Sequence, residues 1–322
     1  MNILFITSSR IGDAVLSSGV LAHFAARYPR ARITVACGPA AAPLFEAAPR
    51  VERIIVMNKR KWGGHWLDLW RICIRQPWGW GLVLDLRSSV IAFFLLARRR
   101  RVYWGETARR HRLYALAKAF RLSEPPPPCL WTDARHESEA ARLISKGGPI
   151  LALGPTANWA GKIWAPENFA DLAGRLTAPD GILPGARIAV FGAENERELA
   201  RPVIEALAGE RLIDLVGGID LATAAACLGR CAFYIGNDSG LMHMAAAAGA
   251  PTLGLFGPSR DEIYAPWGAH TAVARTLIPY KELFPPNYNH RTTTGSLMGS
   301  LSVDVAESAA RALWDRCRSA AA

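Results

Sequence analysis

The sequence predicts an α/β protein with two Rossmann-like domains, each a doubly wound parallel sheet. Short strand-like apolar segments alternate with segments of helical periodicity along most of the 322 residues. The alternation stops at four prolines, 125–128, which suit a stiff linker, and then resumes. A chain of this length can bury two cores. We therefore expect two domains that face a central cleft.

The N-terminal domain is predicted to span residues 1–130. Its strands are expected at 2–7, 31–36, 53–57, 81–85 and 101–104. Its helices are expected at 11–28, 66–75, 88–98 and 112–120. The most apolar of these, at 88–98, is bounded by arginines and is shorter than the roughly 20 residues that span a bilayer. No membrane-spanning segment is therefore expected in this domain.

The C-terminal domain is predicted to span residues 131–302. Its strands are expected at 149–154, 186–191, 212–215, 231–235 and 252–256. Its helices are expected at 133–145, 165–176, 194–208, 221–229 and 241–248. Residues 279–299, rich in Pro, Asn, Thr and Gly, are expected to form a long loop. The remaining segment, 303–322, is expected to be a helix that packs back on the N-terminal domain.

The net charge of +11 is distributed unevenly. Residues 1–150 contain 24 Lys and Arg against 10 Asp and Glu, whereas residues 151–322 contain 14 against 17. A basic N-terminal half suits an anionic membrane surface, an anionic substrate or nucleic acid, although a generic basic surface has the same composition. Nucleic acid is disfavoured because the basic residues accompany no recognisable nucleic-acid module.

The six cysteines are scattered without the paired spacing of a zinc site. Free thiols suit a reducing compartment, and the first residues lack the basic lead and the cleavage site of a signal peptide. We therefore expect a cytoplasmic protein that binds no metal.

The most informative motif is residues 237–243, Asn-Asp-Ser-Gly-Leu-Met-His, which follows a predicted buried strand and opens a helix of small residues. Asp238 or Ser239 stands at the N-cap position. The free N–H groups of a first helical turn and the helix dipole favour bound phosphate. His243, one turn into the helix, either contacts that phosphate or is a buried core histidine.

Three other strand ends contain candidate site residues. Asp13 follows the first strand and begins a helix, where it is either a cap or a general base. Lys162 lies in a loop rich in Gly and small polar residues, which suits phosphate, although an isolated loop lysine is often only solvated. Glu194 and Glu196 follow another strand, where they can hold sugar hydroxyls or simply begin a helix.

The motifs together resemble glycosyltransferase family nine, the lipopolysaccharide heptosyltransferases, which have the GT-B fold. The matching segments are 9–13, 162–170, 191–196, 237–243 and 255–259. Their order and spacing hold over nearly the whole chain, although Ala165 replaces a proline that the family usually has. The resemblance implies an inverting, metal-independent transfer, without a cofactor, of heptose from ADP-heptose to a Kdo or heptose unit of the lipopolysaccharide inner core.

The resemblance also implies residue roles. Asp13 matches the general base, and Lys162 the phosphate-binding lysine. Glu196, or else Glu194, matches a carboxylate near the nucleoside. The remaining residues that match the nucleotide-sugar site are Thr156, Ile219, Asp238, Ser239, Gly240, Leu241 and His243.

The basic N-terminal domain would then bind an anionic glycolipid acceptor at the inner leaflet of the cytoplasmic membrane. Candidate acceptor or membrane residues are Arg10, Lys59, Arg60 and Lys61. Trp62, Trp66, Trp70, Trp78 and Trp80 follow these residues and suit either a lipid interface or the core. One alternative is a GT-B transferase with another nucleotide sugar or another acceptor, or a sugar-nucleotide epimerase of the same architecture. The other is a non-catalytic membrane-associated nucleotide-sugar-binding protein.

Overall fold

The computed structural model describes residues 1–105, 110–145, 147–209, 211–285, 288–289 and 295–321. The chain divides into two compact units, Met1–Asp133 and Ala134–Ala322, which we call the first and the second unit. Each unit contains one parallel sheet with helices. The predicted α/β class with two Rossmann-like sheets is confirmed, and the boundary between the units lies three residues beyond the predicted 130.

The first unit has a five-stranded sheet in the order β3-β2-β1-β4-β5. The strands are β1 (Asn2–Ile6), β2 (Arg32–Cys37), β3 (Val51–Val56), β4 (Leu82–Asp85) and β5 (Arg100–Val102). The helices are α1 (Ile11–Arg27), α2 (Gly64–Cys73) and α3 (Arg112–Phe120), with short 3-10 helices at Pro39–Phe45, Lys61–Gly63 and Val90–Phe93. The central strand β1 has no accessible surface from Ile3 to Ile6, as expected for a parallel strand covered on both faces.

The helix predicted at 88–98 is wrong. Only Val90–Phe93 is helical, as a 3-10 turn. Polar side chains occupy the backbone groups that an α-helix would use: Asp85 accepts the N–H of Ser89 at 2.7 Å, and Arg100 donates to the carbonyls of Ala92 and Leu95 at 2.7 and 2.5 Å. The apolar run is therefore an irregular segment, and several of its large side chains are exposed.

The proline segment packs on the first unit and is not a free linker. The Cys129 N–H donates to Ser18 Oγ at 2.7 Å. On α1, Gly19 is buried where the backbone of Pro126 and Pro127 approaches, and a Cβ at position 19 would overlap both carbonyl oxygens. The absence of a side chain at Gly19 thus allows close contact between a helix and an extended chain.

The second unit has a six-stranded sheet in the order β11-β10-β9-β6-β7-β8. Its strands are β6 (Ile150–Gly154), β7 (Arg187–Gly192), β8 (Leu212–Val216), β9 (Phe233–Asn237), β10 (Thr252–Phe256) and β11 (Thr271–Arg275). Its helices are α4 (Ala134–Leu143), α5 (Pro166–Thr177), α6 (Arg197–Ala206), α7 (Leu221–Leu228), α8 (Gly240–Ala247), α9 (Asp261–Tyr264) and α10 (Val303–Ala321). Short 3-10 helices lie at Ala160–Lys162 and Glu194–Glu196.

One strand of the second unit, β11, was not predicted. Its Thr-Ala-Val-Ala-Arg sequence is short and includes two alanines, which strands disfavour, and among the described strands it pairs only with β10, at the sheet edge. The C-terminal helix α10 contributes Ala306, Ala310 and Leu313 to the core of the second unit. One face of α10 is therefore buried within this unit.

No helix among the described residues is long and apolar enough to cross a membrane. The loop predicted at 279–299 lies partly outside the described residues, which exclude 286–287 and 290–294.

Candidate functional site

The first unit has a cavity of about 340 Å³, which we call the first-unit cavity. It is lined by residues that follow the carboxyl ends of three strands: Ser8 after β1, Arg87 after β4 and Tyr103 after β5. Parallel sheets bind their ligands at this edge, at the point where strand order reverses. In the order β3-β2-β1-β4-β5 that point lies between β1 and β4, so the cavity occupies the expected place.

Asp13 lies in the cavity wall, in the first turn of α1. Its Oδ2 lies 3.4 Å from Ser8 Oγ, which donates to it. The Ser8 hydroxyl in turn accepts the N–H of Arg10 at 3.1 Å. Among the described residues the bond from Ser8 is the one side-chain hydrogen bond to the Asp13 carboxylate, and it is long, so Asp13 is placed to accept a proton from a bound hydroxyl.

Four cationic side chains line the same cavity as Asp13. Arg10 and Lys59, which the sequence singled out, line it, and so do Arg87 and Arg112, which sequence reasoning missed. Arg112 donates to the Tyr103 hydroxyl at 2.5 Å, and its guanidinium lies 4.2 Å from the centre of that ring. A cavity lined by four cations and a carboxylate favours an anionic ligand that also carries a hydroxyl group.

Arg60 and Lys61 do not line this cavity. Arg60 Nη1 lies 2.7 Å from Asp68 Oδ2, so its charge is matched locally. Both residues are exposed beside the 3-10 turn at Lys61–Gly63. The structure thus separates the predicted acceptor residues into two that line the cavity and two on the outer surface.

A buried carboxylate, Asp85, holds the loop that presents Arg87. Asp85 accepts the N–H groups of Arg87 and Ser89, both at 2.7 Å, and the Ser89 hydroxyl at 2.6 Å. Burial raises the pKa of Asp85, and its hydrogen bonds and the Arg87 charge oppose that rise. The hydrogen bonds to Asp85 therefore hold the loop after β4 in place, with Arg87 in the cavity wall.

In the second unit, Lys162 and Asp238 form a close ion pair. Lys162 Nζ lies 2.5 Å from Asp238 Oδ2, and the two side chains are 21% and 7% exposed. Lys162 ends the 3-10 turn after β6, and Asp238 directly follows β9. The two strands are neighbours in the sheet, which brings residues 76 positions apart into contact.

Helix α8 begins beside this ion pair. Ser239 is its N-cap in extended conformation, but the Ser239 side chain makes no cap hydrogen bond. The first-turn N–H groups from Gly240 and Leu241 onwards therefore have no side-chain acceptor at the N-cap. His243 is buried one turn into the helix. A lysine beside the positive end of a helix is an arrangement that binds phosphate.

Asn237 joins the loops on either side of the ion pair. Its Oδ1 accepts the Trp164 N–H at 3.1 Å, and its Nδ2 donates to the Pro155 carbonyl at 2.8 Å. Asn237 has no accessible surface. Asn237 thus ties both ends of the Lys162 loop to the end of β9. The sequence analysis gave Asn237 no role, although this residue belongs to the motif at 237–243.

The two candidate glutamates have different surroundings. Glu196 Oε2 accepts the Thr156 hydroxyl at 2.9 Å and the Ala193 N–H at 3.0 Å. Glu194 is exposed and lies over Gly217, where a Cβ would overlap its carboxylate. Glu196 is therefore the carboxylate that the second-unit site holds in place. We use the name second-unit site for Thr156, Lys162, Glu196, Asp238 and the N-terminus of α8.

Ile219 lies in a different place. It lines a cavity of about 460 Å³ together with Gly218, Asp220 and residues of α4 and α7. Asp220 caps α7 by accepting the Thr223 N–H at 2.7 Å. None of the second-unit site side chains lines this cavity, so Ile219 is the one predicted nucleotide-site residue that borders a separate cavity.

The chain after 294 packs on the Lys162 loop. Ser296 Oγ donates to the Ile163 carbonyl at 2.6 Å, and the Leu297 N–H donates to the Gly161 carbonyl at 3.0 Å. The Tyr288 ring lies 5.9 Å from the Trp159 ring. Residues that matched no motif thus support the loop of the second-unit site.

Sequence signals existed for the missed cavity residues. Arg87 and Ser88 come shortly after a strand that was predicted correctly in position, whereas Tyr103 was predicted inside a strand, at 101–104, and in the structure directly follows β5. The residues that follow strand ends are the natural candidates in a parallel sheet. The wrong helix at 88–98 concealed Arg87 and Ser88, because it made them look like a helix start.

Comparisons with known proteins agree with this geometry. The family model described as "Glycosyltransferase family 9 (heptosyltransferase)" matches residues 73–283. The chain is 27% identical to lipopolysaccharide heptosyltransferase 2 of Salmonella typhimurium over 323 aligned residues, which cover 88% of this chain and 90% of the relative.

Two solved structures share the fold. The structure of E. coli ADP-heptose lps heptosyltransferase II superposes with a TM-score of 0.74 at 22% identity, covering 99% of this chain and 100% of that one. E. coli heptosyltransferase WaaC with ADP superposes with a TM-score of 0.72 at 17% identity, covering 97% and 100%. The fold is therefore GT-B, and because the family model spans more than half of the chain, this protein belongs to glycosyltransferase family 9 and is a glycosyltransferase.

Proposed function

We propose that this protein transfers heptose from ADP-heptose to the inner core of lipopolysaccharide, with a Kdo or heptose unit as acceptor. The names of its relatives support this substrate pair, since one is a lipopolysaccharide heptosyltransferase and one solved structure is described as ADP-heptose lps heptosyltransferase II. The second unit would bind the donor and the first unit the acceptor.

The donor diphosphate fits the second-unit site. Lys162 and the N-terminal N–H groups of α8 offer positive charge at one place. The Thr156 hydroxyl and the Glu196 carboxylate lie at the same sheet edge and offer hydrogen-bond partners to the nucleoside. Glu196 is favoured over Glu194 for this role because its carboxylate is held by two hydrogen bonds.

The acceptor fits the first-unit cavity, and this observation carries the proposal. Among the described residues, Asp13 is the one carboxylate in the lining of this cavity, which Arg10, Lys59, Arg87 and Arg112 also line. An inner-core glycolipid is anionic through its carboxylates and phosphates, and the group that reacts is a hydroxyl. The cations would bind the anionic groups, and Asp13 would remove the hydroxyl proton.

The reaction would proceed with inversion. The Asp13 carboxylate accepts the proton as the acceptor oxygen forms its bond to the anomeric carbon. That carbon releases the diphosphate oxygen from the opposite face, and ADP leaves with the bonding electron pair. Lys162 and the α8 N-terminus would stabilise the charge that grows on the diphosphate, so we propose that the transfer requires no metal ion or cofactor.

We further propose that the protein works at the inner face of the cytoplasmic membrane. The half of the chain that contains the first unit has most of the excess positive charge. The side chains of Trp62 and Trp78 are fully exposed, whereas Trp80 is buried in the core. Exposed tryptophans beside basic residues suit a headgroup region with anionic lipids. The five tryptophans therefore divide between the two roles considered from the sequence.

The test is transfer of heptose from ADP-heptose onto truncated lipid A acceptors, followed by mass spectrometry. One acceptor carries Kdo alone and the other carries Kdo and one heptose. The expected product is one of these acceptors with the mass of one heptose added. UDP- and GDP-sugars are the matched donors for comparison.

Lack of transfer onto both acceptors would overturn the proposal. Transfer from a UDP- or GDP-sugar in place of ADP-heptose would favour the alternative GT-B transferase with another nucleotide sugar.

A further inference from the structure

A buried tyrosine lies under the N-terminus of α8. Tyr234 is on β9 and has no accessible surface. Its hydroxyl reaches the carboxyl edge of the sheet, where it lies over Gly154 of β6 and Gly236 of β9. A Cβ at either glycine would overlap the phenol oxygen. Two glycines on adjacent strands therefore leave the space that this hydroxyl occupies.

Two hydroxyl groups at this edge are buried without a hydrogen-bond partner among the described residues. They are Tyr234 OH and Ser239 Oγ. A buried polar group without a partner costs on the order of 1–3 kcal/mol. A phenylalanine at position 234 would fill nearly the same volume without that cost. The tyrosine is therefore better explained by a state of the protein in which its hydroxyl is paired.

The two hydroxyls are neighbours. Burial raises the pKa of Tyr234, the Ser239 hydroxyl lowers it, and the Glu196 carboxylate raises it. The Tyr234 hydroxyl therefore stays protonated, and its O–H needs a hydrogen-bond acceptor. Ser239 is near enough to act on the phenol, although the two groups do not have the geometry of a formed hydrogen bond.

Ser239 has the free capacity to link the phenol to a ligand. An N-cap serine normally accepts an N–H of its own helix, but this side chain makes no such bond. Its oxygen can therefore accept the Tyr234 O–H while its own O–H points to an acceptor at the helix N-terminus. Hydrogen bonds in such a chain strengthen one another, and a final bond to an anion is stronger than a neutral one.

We propose that Tyr234 is a positioning residue whose hydroxyl donates to Ser239, which in turn donates to a phosphate oxygen of the nucleotide bound at α8. This inference rests on the proposed function, because it takes a nucleoside diphosphate as the ligand. The relay is open in the free protein and closes when the phosphate arrives. Tyr234 thus adds to ligand affinity without touching the ligand.

The test is a double-mutant cycle on ADP binding with Tyr234→Phe, Ser239→Ala and the double variant. Isothermal titration calorimetry measures Kd, and thermal melting of the ligand-free protein measures stability. Tyr234→Phe is expected to raise the Kd for ADP about 5- to 10-fold, in line with the loss of one hydrogen bond between two neutral hydroxyl groups. Its melting temperature without ligand is expected to equal or exceed that of the wild type.

The cycle separates a relay from a packing effect. In the Ser239→Ala background, Tyr234→Phe should cause no further loss of ADP affinity, because the link is already broken. The matched control is Tyr28→Phe, the same substitution in the first unit next to Phe24, which should leave ADP binding unchanged.

Wild-type protein that binds ADP as tightly as Tyr234→Phe would overturn the relay alone. Additive effects in the double variant would also overturn it. Wild-type protein that does not bind ADP would overturn the proposed donor, and the relay with it.

Discussion

The first-unit cavity and the second-unit site lie at equivalent edges of two similar sheets, but their side chains are held differently. In the second-unit site the charged and polar groups are paired with one another: Lys162 with Asp238, and Thr156 with Glu196. In the first-unit cavity Asp13 has one long side-chain hydrogen bond among the described residues, from Ser8. A site whose charged groups are paired with one another recognises a ligand of fixed shape, whereas a cavity lined mainly by cations recognises a class of anions. This difference suits an invariant nucleotide on one side and a larger glycolipid on the other.

The largest expected effect separates chemistry from binding. Asp13→Asn should lower kcat about 10²- to 10⁴-fold, because the amide cannot accept the proton, while the Kd for ADP stays within twofold. Steady-state kinetics and calorimetry measure the two quantities. The matched control is Glu46→Gln, an exposed carboxylate of the same unit, which should retain wild-type kcat. Near-normal turnover of the Asp13→Asn variant would show that Asp13 is not the general base.

The second prediction tests whether the ion pair is both a structural and a binding element. Lys162→Met should lower kcat/KM about 10²-fold through loss of charge at the diphosphate. It should also destabilise the protein by on the order of 2 kcal/mol, because the buried Asp238 carboxylate loses its partner. The effect is smaller than for a fully buried pair because the Lys162 side chain is partly exposed to solvent. Adding Asp238→Asn should restore the melting temperature but not the activity.

Recovery of activity in the Lys162→Met, Asp238→Asn double variant would contradict a direct role for Lys162 at the phosphate. If Asp238→Asn does not restore the stability lost in Lys162→Met, the Lys162 side chain stabilises the protein through packing and not through its ion pair with Asp238.

The third prediction compares helical glycines in the two units. Gly19→Ala should destabilise the protein by about 1–3 kcal/mol, because the new Cβ meets the carbonyls of Pro126 and Pro127. Gly174→Ala on α5 is the matched control, since no atom lies within 4 Å of its Cβ position. That substitution should stabilise the protein by about 0.5–1 kcal/mol through helix propensity. Denaturant unfolding measures both, and equal effects would show that the proline segment does not pack on α1.

The smallest effect concerns the cations of the first-unit cavity. Arg87→Gln should raise the KM for the acceptor about tenfold, as expected for loss of one charge-assisted hydrogen bond, and leave ADP binding unchanged. Arg60→Gln should change KM less, because Arg60 lies outside the cavity and pairs with Asp68. Kinetics at varied acceptor concentration measure both. A larger increase in KM for Arg60→Gln than for Arg87→Gln would show that the acceptor binds at the outer surface and not in the cavity.

Much of the fold could be predicted because its signals are local. The alternation of strands and helices is visible in the sequence, and strand β1 with helix α1 lies almost where periodicity predicts. The helix at 88–98 failed because Asp85 and Arg100 bind its backbone groups from outside the segment. Strand β11 was missed because its place in the sheet depends on β10, not on its own propensity.

The sequence indicated where the candidate site residues lie, but not which of them contact one another. Asp13, Lys162 and Asp238 were found because each follows a strand end in a recognisable motif. The contact between Lys162 and Asp238, and the one between Thr156 and Glu196, depend on which strands are neighbours, which a single sequence does not reveal. Tyr234 carried no signal, since a tyrosine in a strand is ordinary; only its position over two glycines makes it unusual.

The space over Gly154 and Gly236 also limits how this part of the protein can change during evolution. A Cβ at either position would overlap the Tyr234 hydroxyl, so a side chain at 154 or 236 requires the phenol ring to move. The restriction is stronger at Gly236, because a Cβ there would also lie 2.8 Å from the Gly154 carbonyl oxygen, whatever residue stands at 234. Replacement of Tyr234 by a smaller residue would therefore make room for a side chain at position 154 before it did so at position 236.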